Sequence, residues 1–117
     1  MTARFELVVD GRGKFHFQLR SKDDEVLLRG MSCANKALAE ADVSMTRKAM
    51  YDVKQLIPFM SHDSGHFLVL KFEADKTLAR SSRVSTPEEL AVIARRIRAV
   101  PEDAPLIDNT TPQTTEH

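Results

Sequence analysis

The chain has 117 residues, 42% of them hydrophobic and 29% charged, and its 17 basic residues balance 17 acidic ones. That length and balance describe one compact unit, or two small subdomains sharing one unaided core; they exclude a transmembrane protein, a coiled coil and a disulfide scaffold, and they do not suggest strong electrostatic capture of nucleic acid or acidic membrane. The charge is nonetheless uneven: residues 101–117 carry −4, with no Lys or Arg, and the rest of the chain carries +4.

Phe5-Glu6-Leu7-Val8-Val9-Asp10 alternates with Phe5, Leu7 and Val9 on one face, which predicts a strand. Gly11-Arg12-Gly13 follows as a turn. The second predicted strand, Lys14 to Arg20, points Phe15, Phe17 and Leu19 inward and His16, Gln18 and Arg20 outward. Ser21 to Asp24 turns the chain again, and Glu25 to Arg29 forms a third strand. Gly30-Met31-Ser32 leads into a helix predicted from Ser32 to about Tyr51, with a stripe of Ala34, Leu38, Ala41, Met45 and Ala49. Tyr51 to Leu56 is a junction, and Pro58 disfavours helix at Ile57.

Shifted by 52, the pattern returns: Phe5 falls on Ile57, Leu7 on Phe59, Gly13 on Gly65, Phe15 on Phe67, Phe17 on Val69, Asp23 on Asp75 and Val26 on Leu78. The helix positions Leu38, Ala41 and Met45 fall on Leu90, Ile93 and Ile97. The second helix has clear boundaries: Ser85 or Thr86 as cap, Pro87 in the first turn, Glu88 and Glu89 at the positive end of the dipole, and Val100-Pro101 as the stop. Its apolar stripe is Leu90, Ile93, Ala94 and Ile97. The predicted fold is therefore α+β: a tandem βββα repeat with pseudo-twofold symmetry, its antiparallel sheet packed against two helices. The domain spans residues 1–100, with repeats at about 4–50 and 57–100. Residues 101–117 are an acidic, Pro/Thr-rich tail, read as disordered or loosely docked, with residues 108–117 dispensable for folding.

The pattern Phe5-x-Leu7-x-x-Asp10-x-x-Gly13-x-Phe15-x-Phe17-x-Leu19, followed by Glu25-Val26-Leu27, resembles the YegP-like family of small, mainly bacterial proteins with one or two βββα repeats. It recurs more weakly as Phe59, Asp63, Gly65, Phe67, Val69 and Leu78, so the resemblance covers about residues 4–100. It departs from the family where the glycine- and serine-rich lead into the first helix is reduced to Gly30-Met31-Ser32, and where Asp63 stands two residues before Gly65 instead of three. The resemblance implies a tandem α+β fold; the family is uncharacterised and supplies no reaction or site residues.

His62-Asp63-Ser64-Gly65-His66 gathers two imidazoles, a carboxylate and a hydroxyl, the raw material of a metal or acid–base site. The segment spans a hairpin turn and lacks further ligands, so it reads as a solvated turn. His16 is placed among the outward polar residues of its strand. Cys33, near a predicted helix N-terminus where a thiol can be activated, has no resolving cysteine or histidine base nearby and reads as a boundary residue. Asp23, Asp24 and Glu25 lie in a turn without an implied pocket. Arg80, Arg83, Arg95, Arg96 and Arg98, with Lys71 and Lys76 near in sequence, form a candidate anion-binding cluster. Gly11-x-Gly13 is a hairpin turn and no dinucleotide fingerprint, because no helix follows it. No catalytic residue, metal or cofactor is expected.

In the alignment at 52, Leu68, Leu70 and Phe72 fall where His16, Gln18 and Arg20 point outward, giving an apolar outer face and a candidate homodimer interface unless Leu106-Ile107 folds back over it. A register change would instead turn these three toward the helices and leave Phe67 and Val69 outward. The function expected is a non-catalytic interaction module acting through its sheet surface; the alternative is nucleic-acid or anionic-ligand binding through the Arg cluster. A single cysteine and no visible targeting segment or membrane span fit a cytoplasmic location.

Overall fold

A computed structural model describes residues 2–63, 65–73 and 76–110. The order of elements is β1 (Arg4–Val9), β2 (Phe15–Arg20), β3 (Val26–Gly30), α1 (Lys36–Ala49), β4 (Leu56–Ser61), β5 (Gly65–Phe72), β6 (Lys76–Arg80), α2 (Pro87–Arg98) and β7 (Leu106–Asp108). They form an α+β fold with one mixed sheet, ordered β4-β5-β6-β3-β2-β1-β7. All neighbours are antiparallel except β1 and β7.

The turns are built by short polar side chains. Asp10 Oδ1 accepts from the backbone N–H of Arg12 at 2.8 Å and of Lys14 at 3.0 Å, closing the β1–β2 hairpin. These two bonds, Lys14 first, hold its carboxyl below the usual range. Ser21 Oγ accepts from Asp23 N and Glu25 N in the β2–β3 turn. In α2, Thr86 and Glu89 form a reciprocal capping box, as the sequence signals require.

The first helix starts four residues later than predicted. Cys33 exchanges two backbone hydrogen bonds with Phe15, at 2.7 and 2.9 Å, which holds the segment after β3 extended, and Asn35 becomes the N-cap. Its buried face is also turned from the expected stripe. Ala39, Asp42, Val43, Thr46 and Ala49 are buried, whereas Leu38 is 50% exposed and Ala41 faces solvent.

Both helices cover the same sheet face. Phe5, Leu7, Phe17 and Leu19 from one half of the chain meet Leu56, Leu68, Leu70 and Leu78 from the other in one cluster with Val43, Leu90, Ile93 and Ile97. Gly30 is fixed by this packing, since a Cβ there would stand 2.4 Å from Cδ1 of the Phe17 ring.

Strand β5 follows the alternative register. Leu56 pairs with Leu70 and Pro58 with Leu68. Leu68 and Leu70 are buried beneath the helices, and Phe72 packs against the same core. Of the three residues proposed as an interface, Leu68 and Leu70 are internal and Phe72 is partly buried against the same core, so they do not form the open apolar patch that motivated a homodimer. Phe67 and Phe59, expected inside, stand on the opposite face.

The tail is docked through residue 110. Ala104 is buried in the core, Leu106–Asp108 pair parallel with β1, and Asn109 N donates to Leu7 O at 2.9 Å. Lys36 forms an ion pair with Asp108. The reading of 101–117 as a loose extension is corrected over this stretch, and Asp108 and Asn109 cannot be counted as idle. Leu106-Ile107 does fold back, but onto the β1 edge and not over Leu68 and Leu70. Residues 111–117, Ser64 and Asp75 lie outside the described residues.

Candidate anion site on the open sheet face

Because both helices lie on one face, the other face of the sheet is free of covering elements among the described residues. Strand alternation sends Glu6 and Val8, His16 and Gln18, Arg29, Arg80, Val69 and Phe67, and Ile57 and Phe59 onto it. At its centre β3 meets β6, and Arg29 is the Cα partner of Arg80. Direct partners on antiparallel strands are about 4.5–5.5 Å apart at Cα, and like charges so placed are destabilising.

Beside this pair lies a cavity of 450 Å³ lined by Val26, Arg29, Gly30, Met31, Phe67, Arg80, Ser81, Ser82 and Arg83. Three of these residues are cations and none is an acid. Among the described residues, Arg29, Arg80 and Arg83 have no ion-pair partner. The Arg83 guanidinium sits 5.4 Å from the Phe67 ring centroid. Phe67 stacks on Phe59, with centroids 5.8 Å apart and planes at 16°.

The far side of the same face shows the opposite pattern. Arg4 bonds Glu6 at 2.8 Å and also Asp24, and Arg20 lies 3.3 Å from Glu6 and 3.4 Å from Asp24. Two arginines there meet two carboxylates, so the charge is neutralised locally. The central arginines are left without such compensation.

The remaining candidates separate. Arg95, Arg96 and Arg98 lie on α2, behind the sheet, and Arg96 pairs with Glu25. The predicted five-residue cluster is thus divided: Arg80 and Arg83 reach the cavity and the helical three do not. Arg29, which completes the site, was missed; its isolation in the first half of the sequence hid a neighbour created only by the β3–β6 pairing.

His16 is half-buried near Arg29, and its pKa is lowered, first by burial and then by the Arg29 charge, against a pull from Asp10. Cys33 donates to Asp42 Oδ2 at 3.4 Å. Burial first, then this carboxylate, pushes its thiol up to about 11, so it is protonated at neutral pH and poorly suited to nucleophilic work. His62 and Asp63 are exposed in the β4–β5 turn, while the backbone of His66 pairs with Val84. Asp23 and Asp24 lie in the β2–β3 turn, and Asp24 serves the Arg4 and Arg20 pairs.

No helix among the described residues is long and apolar enough to cross a membrane. No protein-family model matches the chain, and no curated protein matches it in sequence. Two solution NMR structures share its fold. One is yegP of E. coli, a protein of unknown function, with a TM-score of 0.88 at 18% identity over 97% of both chains. The other is a UPF0339 protein of Shewanella oneidensis, with a TM-score of 0.87 at 15% identity over 100% of this chain and 99% of that one. The chain thus shares the α+β fold of these two proteins, in keeping with the YegP-like resemblance.

Proposed function

We propose that this chain is a non-catalytic binding module whose open sheet face takes an anionic ligand between Arg29 and Arg80. The observation that carries this reading is the cross-strand Arg29–Arg80 pair, unrelieved by any carboxylate of the adjoining cavity. Two arginines on directly opposed backbone positions lower their mutual repulsion when one anion bridges them, and each offers a fork of donors suited to phosphate or carboxylate oxygens.

We also infer that the module is a tandem βββα repeat about a pseudo-twofold axis, with a spacing of 51 in place of 52. The β2–β3 bulge at Leu19/Arg20 has a counterpart at Leu70/Lys71, the Phe15–Cys33 bridge at His66–Val84, and the Asn35 cap at Thr86. On this reading Arg29 faces its own copy, and Gly30 with Ser81 and Met31 with Ser82 are further copies around the cavity mouth. The two arginines then sit together because the axis passes between them.

Titration of the labelled protein with inorganic pyrophosphate, followed by amide and guanidinium NMR shifts, tests the site. Shifts centred on Arg29, Arg80 and Arg83, abolished in Arg29→Gln/Arg80→Gln and retained in Arg95→Gln/Arg98→Gln, are expected. Shifts confined to α2, or none at low salt, would overturn the proposal.

A further inference from the structure

The anion site does not stand alone on its face. Arg83, Phe67 and Phe59 form a row from the cavity to the free edge of the sheet, a guanidinium over one ring and that ring stacked on the next. Phe59 is 41% exposed, and Met60 after it is 76% exposed. From β4, which carries Phe59, to β3, which carries Arg29, is three strand spacings, or about 14 Å. Charge and aromatic surface are therefore presented together on one sheet face.

Resting on the anion-site reading, we infer that the ligand is single-stranded nucleic acid, its phosphates at Arg29, Arg80 and Arg83 and its bases stacked from Phe59 along the aromatic row. Single strands are bound by this combination: cations that track the backbone and aromatic side chains that offer a π-face to unpaired bases. A free phosphate or an acidic peptide satisfies the arginines but makes no use of an exposed, stacked aromatic pair. A duplex keeps its bases stacked internally and leaves the rings idle. A mononucleotide satisfies the cavity's arginines, yet the face continues past it toward the exposed ring of Phe59 at the sheet edge. That open end suits a polymer.

The net charge of zero does not oppose this. What a strand encounters is the local field, and the compensated Arg4–Glu6–Arg20–Asp24 network leaves the three central arginines as the uncompensated positive charge of this face. Three phosphate contacts predict a modest, salt-sensitive affinity. For single strands the slope of log K against log salt is about −0.7 per contact, so about −2 in total, or a roughly 20-fold loss between 50 and 200 mM.

The test is fluorescence polarisation of the full chain with a labelled mixed-sequence ten-nucleotide RNA and the matching DNA at 50 mM salt. The duplex of the same sequence, a mononucleotide and polyglutamate serve as competitors. Both single strands should bind with the stated slope, and the competitors should displace them poorly. Arg29→Gln/Arg80→Gln should abolish binding. Phe59→Ala should weaken it about 5- to 100-fold, from the loss of one stacked base, while Phe59→Tyr keeps it. Circular dichroism establishes that each variant is folded. Duplex binding as tight as the single strand, full displacement by polyglutamate, or Phe59→Ala within twofold of wild type would overturn the nucleic-acid inference while leaving the anion site standing. Failure of both oligonucleotide and pyrophosphate to bind would remove both.

Discussion

At the scale of single residues, the informative feature is a side chain placed where it lowers stability. Arg29 and Arg80 are exposed and directly opposite, and nothing acidic in the adjoining cavity offsets them. Replacing one should therefore stabilise the fold. Arg29→Gln is expected to add about 0.2–1 kcal/mol at low ionic strength, a rise in Tm of roughly 1–5 °C for a domain of this size. Because the two groups are solvent-exposed, the gain should vanish near 1 M salt, where the Debye length is about 3 Å. Thermal melts of wild type and variant at low and high salt check this. A variant that melts below wild type at low salt would mean that Arg29 makes a stabilising contact instead of a repulsive one.

At the scale of elements, β7 shows what the sequence hid. Three residues, Leu106–Asp108, have too little periodicity to announce a strand, and their partner β1 lies a hundred residues earlier. Pairing is decided by the edge that β1 would otherwise expose. Deleting residues from Pro105 onward should lower Tm by about 10–20 °C, at about 5 °C for each lost net hydrogen bond of about 1 kcal/mol. Acid should loosen the same strand. Asp108 is held down to about 2, chiefly by its hydrogen bond to Lys36 and then by Thr110. A carboxyl depressed on folding adds stability above its unfolded value near 4, and that contribution is lost as pH falls toward 2. Faster amide exchange in β7 than in β2 over that window is expected, and equal protection would count against the link. The β5 register failed to be legible for a related reason. Gly13 and Gly65 both take φ near 78°, at 77° and 78°, but Gly65 stands one residue further along its turn. Aligning on the glycines slips the strand by one, and a one-residue slip sends every side chain to the other face. In the repeat proposed at a spacing of 51, Phe17 corresponds to Leu68 and Leu19 to Leu70, and the helix face slips with them: Asp42 and Thr46 take the places of Ile93 and Ile97. Polar residues at those two core positions made the apolar stripe of α1 unreadable. Strands β1 to β6, the turns and the α2 boundaries were legible, because alternation, Gly and Asp at turns and the Thr86–Glu89 box each act locally. Two of the three arginines of the candidate site, Arg80 and Arg83, were legible; Arg29 and the aromatic row depend on long-range pairing and the corrected register.

At the scale of the molecule, the two halves are joined narrowly in the sheet and broadly in the core. Strands β3 and β6 share two partner pairs, Arg29 with Arg80 and Gly30 with Ala79. Beneath them one apolar cluster runs from Phe5 and Leu7 to Leu70 and Ile97. One half alone has about 50 residues, a size at which the buried core is marginal, and it exposes both the β3 edge and the apolar surface that the other half covers. Residues 1–55 alone should consequently fold only by self-association. If the halves are copies, the β3 edge already has the shape to pair with itself, Arg29 opposite Arg29 of a second molecule, in an isologous dimer that rebuilds the central site. The fragment should show native-like circular dichroism at high concentration, lose it on dilution and have a Tm that rises with concentration. High salt or pyrophosphate should tighten it by screening or bridging the paired arginines. Sedimentation equilibrium over a hundredfold range of concentration decides the matter. A fragment that is folded and monomeric throughout would show that each half holds its own core and that the pairing of β3 with β6 is incidental to the fold.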